Sequence, residues 1–115
     1  MVSDRQLTNP KADLELRKGV LVLAVLSRLR TPEYGYSLRQ ALAQRDMPIE
    51  EGTLYPLLRR LEGQGLLTSE WRIEEPPPRR YYRLSPEGAS AYQALSRSWR
   101  SLVATMDNLL DERGQ

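Results

Sequence analysis

Residues 49–67, IEEGTLYPLLRRLEGQGLL, combine an apolar face with side chains suited to contacting phosphates or base edges. Leucines recur at positions 54, 57, 58 and 61, which is the spacing of one face of an amphipathic helix. At about 3.6 residues per turn, the opposite face and its flanks carry Gly52, Thr53, Tyr55, Pro56 and Arg59. Hydroxyls can donate to phosphate oxygens or base edges, and the free amides of a helix N-terminus attract anions. Because Gly52 has no side chain and Pro56 a compact one, the backbone of this helix can approach a surface closely.

A second candidate group lies beside a predicted hairpin tip. Aromatic and β-branched residues flank a triple proline in residues 66–74 and 79–84, which predicts a two-stranded hairpin with the prolines at its tip. Arg79 and Arg80 stand beside Tyr81 and Tyr82 close to that tip. Such a basic patch with aromatics suits phosphate contact. The alternative is a solvated hairpin in which cross-strand pairing explains the tyrosines.

The composition argues against catalytic and metal chemistry. The chain has 115 residues with no histidine and no cysteine, so the commonest general base, the commonest metal ligand and a cysteine nucleophile are missing. No glycine-rich phosphate loop is visible. We therefore expect neither an enzyme nor a cofactor or metal site. The net charge of +2 is weakly basic, and alone it says little about nucleic acid.

The sequence predicts no membrane segment. The longest apolar run, residues 20–26, is far shorter than the roughly 20 residues needed to span a bilayer. Residues 1–13 are polar and do not resemble a signal peptide. We expect a cytoplasmic protein, which the absence of cysteine fits.

Three helices are predicted before the hairpin. The first covers residues 14–29 and is apolar almost all round at its centre, with residues 1–12 preceding it as a flexible, loosely docked arm. The second covers residues 34–46. The third begins at Glu51 or Thr53, and Gly65 stands where a helix C-terminus favours a left-handed residue. Pro56 costs little in the first turn of a helix that begins at Thr53, and more in a helix that begins at Glu51.

A long final helix follows the hairpin. Ser85 is a good N-cap and Pro86 a good first helical residue. Apolar residues then recur at alternating spacings of three and four, which is a heptad seam typical of helix pairing. This seam predicts a dimer interface formed by Tyr92, Leu95, Trp99, Leu102, Met106 and Leu109.

The order of the elements predicts the fold class. Three helices, a hairpin and a long helix are the order of a mainly α protein with a small β-hairpin, namely a winged helix-turn-helix with a C-terminal dimerisation helix. We predict a winged helix-turn-helix DNA-binding domain in residues 1–84 and the dimerisation helix in residues 85–115. In such motifs the second helix lies in the DNA major groove, and here that is the helix that begins near Glu51.

The motifs resemble one family specifically. GTLYPLLRRLEGQGLL, preceded by YGYSL and followed by RRYYRLSPEG, resembles the PadR family of bacterial transcriptional regulators. The resemblance extends over about residues 14–110 and includes the short-tailed members with a single C-terminal helix. It implies a homodimeric repressor that binds palindromic double-stranded operator DNA. It also implies that Thr53 and Tyr55 enter the major groove and that Arg79 and Arg80 contact the DNA backbone or minor groove.

Other interpretations of these residues stay open. Thr53 and Tyr55 can serve as a helix cap and a packing residue, and Arg59 and Arg60 can form surface pairs with Glu62 or Glu51. Acidic residues precede the third helix at Glu50 and Glu51 and recur in the hairpin tip, EEPPP, where they would repel DNA. The modest net charge of +2 and the acidic hairpin tip favour the alternative function, a winged-helix adaptor that binds a protein partner.

Trp99 has two interpretations. It lies centrally on the heptad seam, where a tryptophan can anchor a dimer core. Some members of the resembled family bind planar aromatic compounds between subunits, which implies that Trp99 is an effector-binding residue for a small planar apolar molecule. A tryptophan face suits flat apolar ligands, and Met106 would add adaptability.

Overall fold

The computed structural model describes residues 9–111, which form seven helices and strands. They are helix α1 (Pro10–Arg28), strand β1 (Glu33–Tyr34), helices α2 (Gly35–Ala43) and α3 (Glu51–Gly63), strands β2 (Leu67–Arg72) and β3 (Arg79–Leu84), and helix α4 (Pro86–Leu110). The prediction of a mainly α fold with a small β-hairpin and a long last helix is confirmed. The hairpin of β2, β3 and the connecting residues 73–78 is called the wing below.

Helix α1 begins earlier than predicted. The Asn9 side chain accepts hydrogen bonds from the amides of Lys11 and Ala12, both at 3.1 Å, and Pro10 occupies the first helical position. Residues 10–12 are therefore helical, and assigning them to a flexible arm was wrong. The rest of that predicted arm, residues 1–8, lies outside the described residues.

The sheet has three strands, in the order β1-β3-β2, and not two as predicted. Strand β1 pairs antiparallel with β3, with Glu33 opposite Tyr82 and Tyr34 opposite Tyr81. A strand of two residues is too short to produce an alternating pattern, so no sequence signal predicts it. This pairing joins the start of α2 to β3, which is the central strand of the sheet.

The end of α3 and the start of α4 are locked together. Gly65 has φ of +81°, and the amides of Gly65 and Leu66 bond back to Glu62 and Leu61. The buried Ser85 hydroxyl donates to the carbonyl of Gly65 at 2.6 Å and accepts from the amide of Gly88 at 2.9 Å. The left-handed glycine and the serine cap predicted from the sequence are therefore confirmed.

The core lies between α1, α2, α3 and the base of the sheet. The predicted leucine face of α3 is buried throughout, and Leu54 and Leu58 have no exposed surface. The cluster also includes Leu26 of α1 and Leu38 of α2. Burying this face turns the opposite face of α3 towards solvent.

Helix α4 carries an exposed apolar stripe. Trp99, Leu102 and Met106 are 44%, 56% and 44% exposed, and Leu95 and Leu109 are exposed as well. Tyr92 differs because it is half-buried against the core, with the guanidinium of Arg30 over its ring. Among residues 9–111, no helix is both long and apolar enough to cross a membrane.

Candidate nucleic-acid interface

The exposed face of α3 carries most of the residues predicted to contact DNA. Gly52, Thr53, Pro56 and Arg59 are all exposed. A Cβ added at Gly52 would meet no atom within 4 Å, so packing within the subunit does not require glycine there. Intrahelical bonding begins with the amides of Thr53 and Leu54, both bonded to the Glu50 carbonyl. The amides before them point out of the helix N-terminus and are available to an anion.

Pro56 lies inside α3, because the helix begins at Glu51. Proline has no N–H group, so the carbonyl of Gly52 cannot receive the usual bond from four residues later. The sequence left two starts open for this helix, Glu51 and Thr53. The structure has the start at Glu51, for which Pro56 is the less favourable residue. The compact ring of Pro56 lies on the exposed face, beside Gly52.

Tyr55 occupies a partly buried position. Its ring packs so closely on Gly35 that a Cβ at Gly35 would overlap it. The ring therefore joins α3 to the start of α2, which agrees with the packing interpretation of this residue. The same ring also lines the cleft described below, so its contact with DNA stays a prediction.

The acidic start of α3 is partly neutralised. Arg39 of α2 lies with Nη1 3.3 Å from the Glu51 carboxylate and donates from Nε to the carbonyl of Ile49 at 3.2 Å. This pair lessens the repulsion that Glu51 would exert on phosphates. The sequence did not single out Arg39, because its pairing depends on how α2 packs against the turn before α3.

The base of the wing holds a three-residue network. The Ser69 hydroxyl donates to Glu62 Oε2 at 2.6 Å, Arg80 Nη2 lies 3.1 Å from Glu62 Oε1, and Arg80 Nε donates to Ser69 Oγ at 2.9 Å. Glu62 therefore pairs with Arg80 and Glu51 with Arg39. The alternative that these carboxylates pair with Arg59 or Arg60 is wrong.

Tyrosines of the sheet contact arginines of the wing. Arg79 lies over the ring of Tyr34, 4.7 Å from its centroid, so it is half-buried against β1. Arg72 lies over Tyr81 at 4.0 Å. Burial raises the pKa of Tyr82, against the opposing effect of nearby Arg80, so this phenol stays neutral at physiological pH.

A cleft separates α3 from the wing. It is lined by Tyr55, Arg59, Trp71, Arg79 and Arg80, and we call it the α3–wing cleft. Arg59 makes no ion pair within residues 9–111, in contrast to Arg80. Trp71 is 62% exposed and lies opposite Arg80 in the sheet register. Sequence reasoning missed Trp71 as a contact candidate, although an aromatic residue paired with a basic cluster was a usable signal.

Three of the six predicted interface residues of α4 line a groove beside α1. Leu16 and Val20 of α1 line it together with Trp99, Leu102 and Met106. Leu16 is 73% exposed, so the apolar surface extends from α4 onto α1. Trp99 thus lies in a groove as well as on the stripe, and both of its predicted roles stay open.

Fold and site together define a class of protein. A helix-turn-helix whose second helix is exposed, followed by a small wing, defines the winged helix-turn-helix class of regulators. The family model described as "Transcriptional regulator PadR-like family" matches residues 22–94. The chain belongs to this family, as its motifs predicted.

Individual relatives agree with the family assignment. The chain is 38% identical over 78 residues to Transcriptional regulator Rv3488 of Mycobacterium tuberculosis, covering 67% of this chain and 73% of that protein. A PadR family transcriptional regulator from Eggerthella lenta has 48% identity and a TM-score of 0.82, covering 90% of this chain and 92% of that one. A PadR-like transcriptional regulator from Bacillus cereus has 29% identity and a TM-score of 0.74, covering 84% and 97%.

The family assignment determines the general function. The chain is a transcriptional regulator, and the expectation that it is not an enzyme is confirmed by its family. The individual DNA-contact, dimer and effector residues stay predictions.

Proposed function

We propose that this protein is a transcriptional repressor that binds palindromic double-stranded operator DNA as a homodimer in the cytoplasm. The observation that carries the proposal is the exposed face of α3, which combines outward amides, Thr53 and compact residues beside the arginines of the α3–wing cleft. Repression is steric, because a bound dimer blocks access of polymerase to the promoter.

Each part of the surface has a role in this proposal. The N-terminus of α3 enters the major groove, where Gly52 and Pro56 allow close approach and Thr53 and Tyr55 offer hydroxyls to phosphates or base edges. Arg59 has no ion-pair partner within the described range, so it is free to pair with a phosphate. Arg79 and Arg80 contact the backbone from the wing, and Trp71 packs against deoxyribose in the same cleft.

The dimer is formed through the stripe of α4. An exposed apolar surface that continues from α4 onto Leu16 of α1 is unfavourable in water and suits burial against a second copy. A two-fold dimer presents two equal copies of α3, so the operator is an inverted repeat with half-sites about 34 Å apart.

An effector would act at the dimer seam. Trp99 is 44% exposed and lines an apolar groove with Leu102 and Met106, which suits a small planar apolar molecule. A ligand there shifts the relative placement of the two α3 helices and so changes operator affinity.

The second candidate function is a protein-binding adaptor. The acidic residues Glu74 and Glu75 are exposed at the tip of the wing, where phosphates would repel them. An adaptor would bind DNA weakly and without sequence preference.

Selection from a randomised duplex pool tests the proposal. A repressor of this type enriches one inverted repeat, and the Gly52→Arg variant, which places a long side chain on the exposed face of α3, loses that enrichment. Failure of the wild-type protein to enrich any duplex at low salt would contradict the proposal and favour the adaptor.

A further inference from the structure

Glu62 stands at an unusual place for a carboxylate on a DNA-binding helix. It lies in the last turn of α3, where the helix dipole disfavours negative charge. It also lies on the element proposed to enter DNA, where a carboxylate repels phosphates. On both grounds a neutral residue would be expected, and the contacts of Glu62 give a reason for its presence.

The carboxylate closes a ring of hydrogen bonds across three elements. Glu62 belongs to α3, Ser69 to β2 and Arg80 to β3, and each of the three contacts the other two at 2.6 to 3.1 Å. Within residues 9–111, the two bonds that Glu62 accepts are the only side-chain hydrogen bonds between α3 and the two strands of the wing. The side chains of Glu62 and Arg80 are 28% and 41% exposed, so as an isolated ion pair they would contribute little to stability. A closed hydrogen-bond network instead fixes the relative placement of the three elements that it joins.

The ring lies where the wing needs support. At its base the wing is fixed by Leu67 and Tyr82 in the core, by the Gly65 turn and by the pairing of β3 with β1, and further out Trp71 and residues 73–78 are exposed. Ser69 pairs in register with Tyr82 and so lies at the border between these two regions. The ring therefore holds the wing at one distance from α3, which sets the width of the α3–wing cleft.

We propose that Glu62 is a positioning residue for DNA recognition, which through Ser69 and Arg80 holds the wing at the angle at which the wing and α3 engage the operator together. This inference rests on the proposed DNA-binding function. Glu62 itself makes no contact with DNA, and part of the role of Arg80 is to support the wing.

The Glu62→Ala variant separates this role from the direct effects of the substitution on helix propensity and charge. Alanine is the better helix former, removes a charge that opposes the helix dipole, and reduces repulsion of phosphates, so all three effects predict equal or tighter DNA binding. The positioning role predicts the opposite sign. We expect affinity for the duplex enriched from the random pool to fall about tenfold, the scale of a lost charged hydrogen-bond network.

Glu70→Ala is the matched control. Glu70 is exposed on β2 and pairs in register with Tyr81, and its side chain makes no hydrogen bond or ion pair within the described part of the chain. The Glu70→Ala substitution removes the same kind of charge, here from the wing, and we expect unchanged or tighter binding. Affinity for a scrambled duplex at low salt should not fall in either variant, whereas a general loss of folded protein would weaken binding to both duplexes in proportion. Operator binding by Glu62→Ala that equals or exceeds wild type would overturn the inference.

Two further measurements complete the test. In a double-mutant cycle, Glu62→Ala and Ser69→Ala together should lower operator affinity little more than the more damaging single substitution does, because either change opens the ring. Additive losses of affinity would overturn the inference. Without DNA, Glu62→Ala but not Glu70→Ala should speed amide hydrogen exchange in residues 67–84. If the wild-type protein binds the operator and Glu62→Ala leaves hydrogen exchange unchanged, the positioning role is contradicted and the proposed function is not. If the wild-type protein binds no duplex, the proposed function itself is contradicted.

Discussion

Gly52 lies on the exposed face of α3 and Trp71 on the wing side of the α3–wing cleft, and the two would serve DNA binding in different ways. Gly52 leaves the helix backbone open, since a Cβ there would have no atom within 4 Å, while Trp71 supplies apolar area at the wall of the cleft. The first was visible in the sequence, because a glycine in an otherwise regular leucine helix is costly unless the position needs it. Trp71 was not recognised as a contact candidate, because its exposure depends on how the wing packs against α3.

Gly52→Ala should move stability and binding in opposite directions. Alanine in a helix with free space around it stabilises the fold by about 0.5–1 kcal/mol, while the added methyl holds α3 away from DNA and lowers operator affinity about tenfold. Thermal melts and anisotropy titrations measure the two effects. Gly63→Ala, which also has nothing within 4 Å but lies at the far end of α3, should stabilise without changing affinity. Equal affinities for both variants would remove Gly52 from the contact surface.

Trp71→Ala should weaken operator binding with little loss of fold stability. The ring is mostly exposed in the free protein, so its removal leaves the core intact, and the apolar contact with deoxyribose proposed for it would contribute about 1–2 kcal/mol. Ile73→Ala is the control, because Ile73 is 68% exposed but does not line the cleft. If the two variants bind the operator alike, Trp71 has no specific role.

Among the helices and strands, local signals were predicted well and tertiary pairings were not. The Gly65 turn and the Ser85 cap follow from residue types at fixed positions, so the sequence located both ends correctly. Strand β1 and the Arg39–Glu51 pair exist only because distant segments meet. The same holds for the Glu62–Ser69–Arg80 network, whose members are 7 to 18 positions apart in the chain.

The junction between α3 and α4 should tolerate no side chain at Gly88. A Cβ there would overlap the carbonyl of Leu66, so Gly88→Ala should destabilise the fold by about 1–3 kcal/mol, as overpacking does. Denaturant titration measures the change. Gly19→Ala in α1 has nothing within 4 Å and should stabilise instead. A Gly88→Ala variant as stable as wild type would show that α4 can shift its start without loss.

Across the molecule as a whole, which measures 58 Å along its longest axis, α4 leaves its apolar stripe uncovered. Leu102→Asp should therefore give monomers, because the proposed dimer would bury an unpaired carboxylate at a cost of several kcal/mol. Sedimentation velocity measures the mass. Ala104→Asp, on the opposite side of α4, should remain a dimer. A dimeric Leu102→Asp protein would place the interface elsewhere.

The exposed face of α3 and the wing are proposed to bind one operator sequence together, and fluorescence anisotropy examines this binding directly. The duplex enriched from the random pool and a scrambled duplex of equal length are each titrated across a salt series. We predict much tighter binding to the enriched duplex, with affinity falling about 100-fold between roughly 50 and 200 mM salt if about four phosphates are contacted. Equal, weak and salt-independent binding to both duplexes would contradict the proposal.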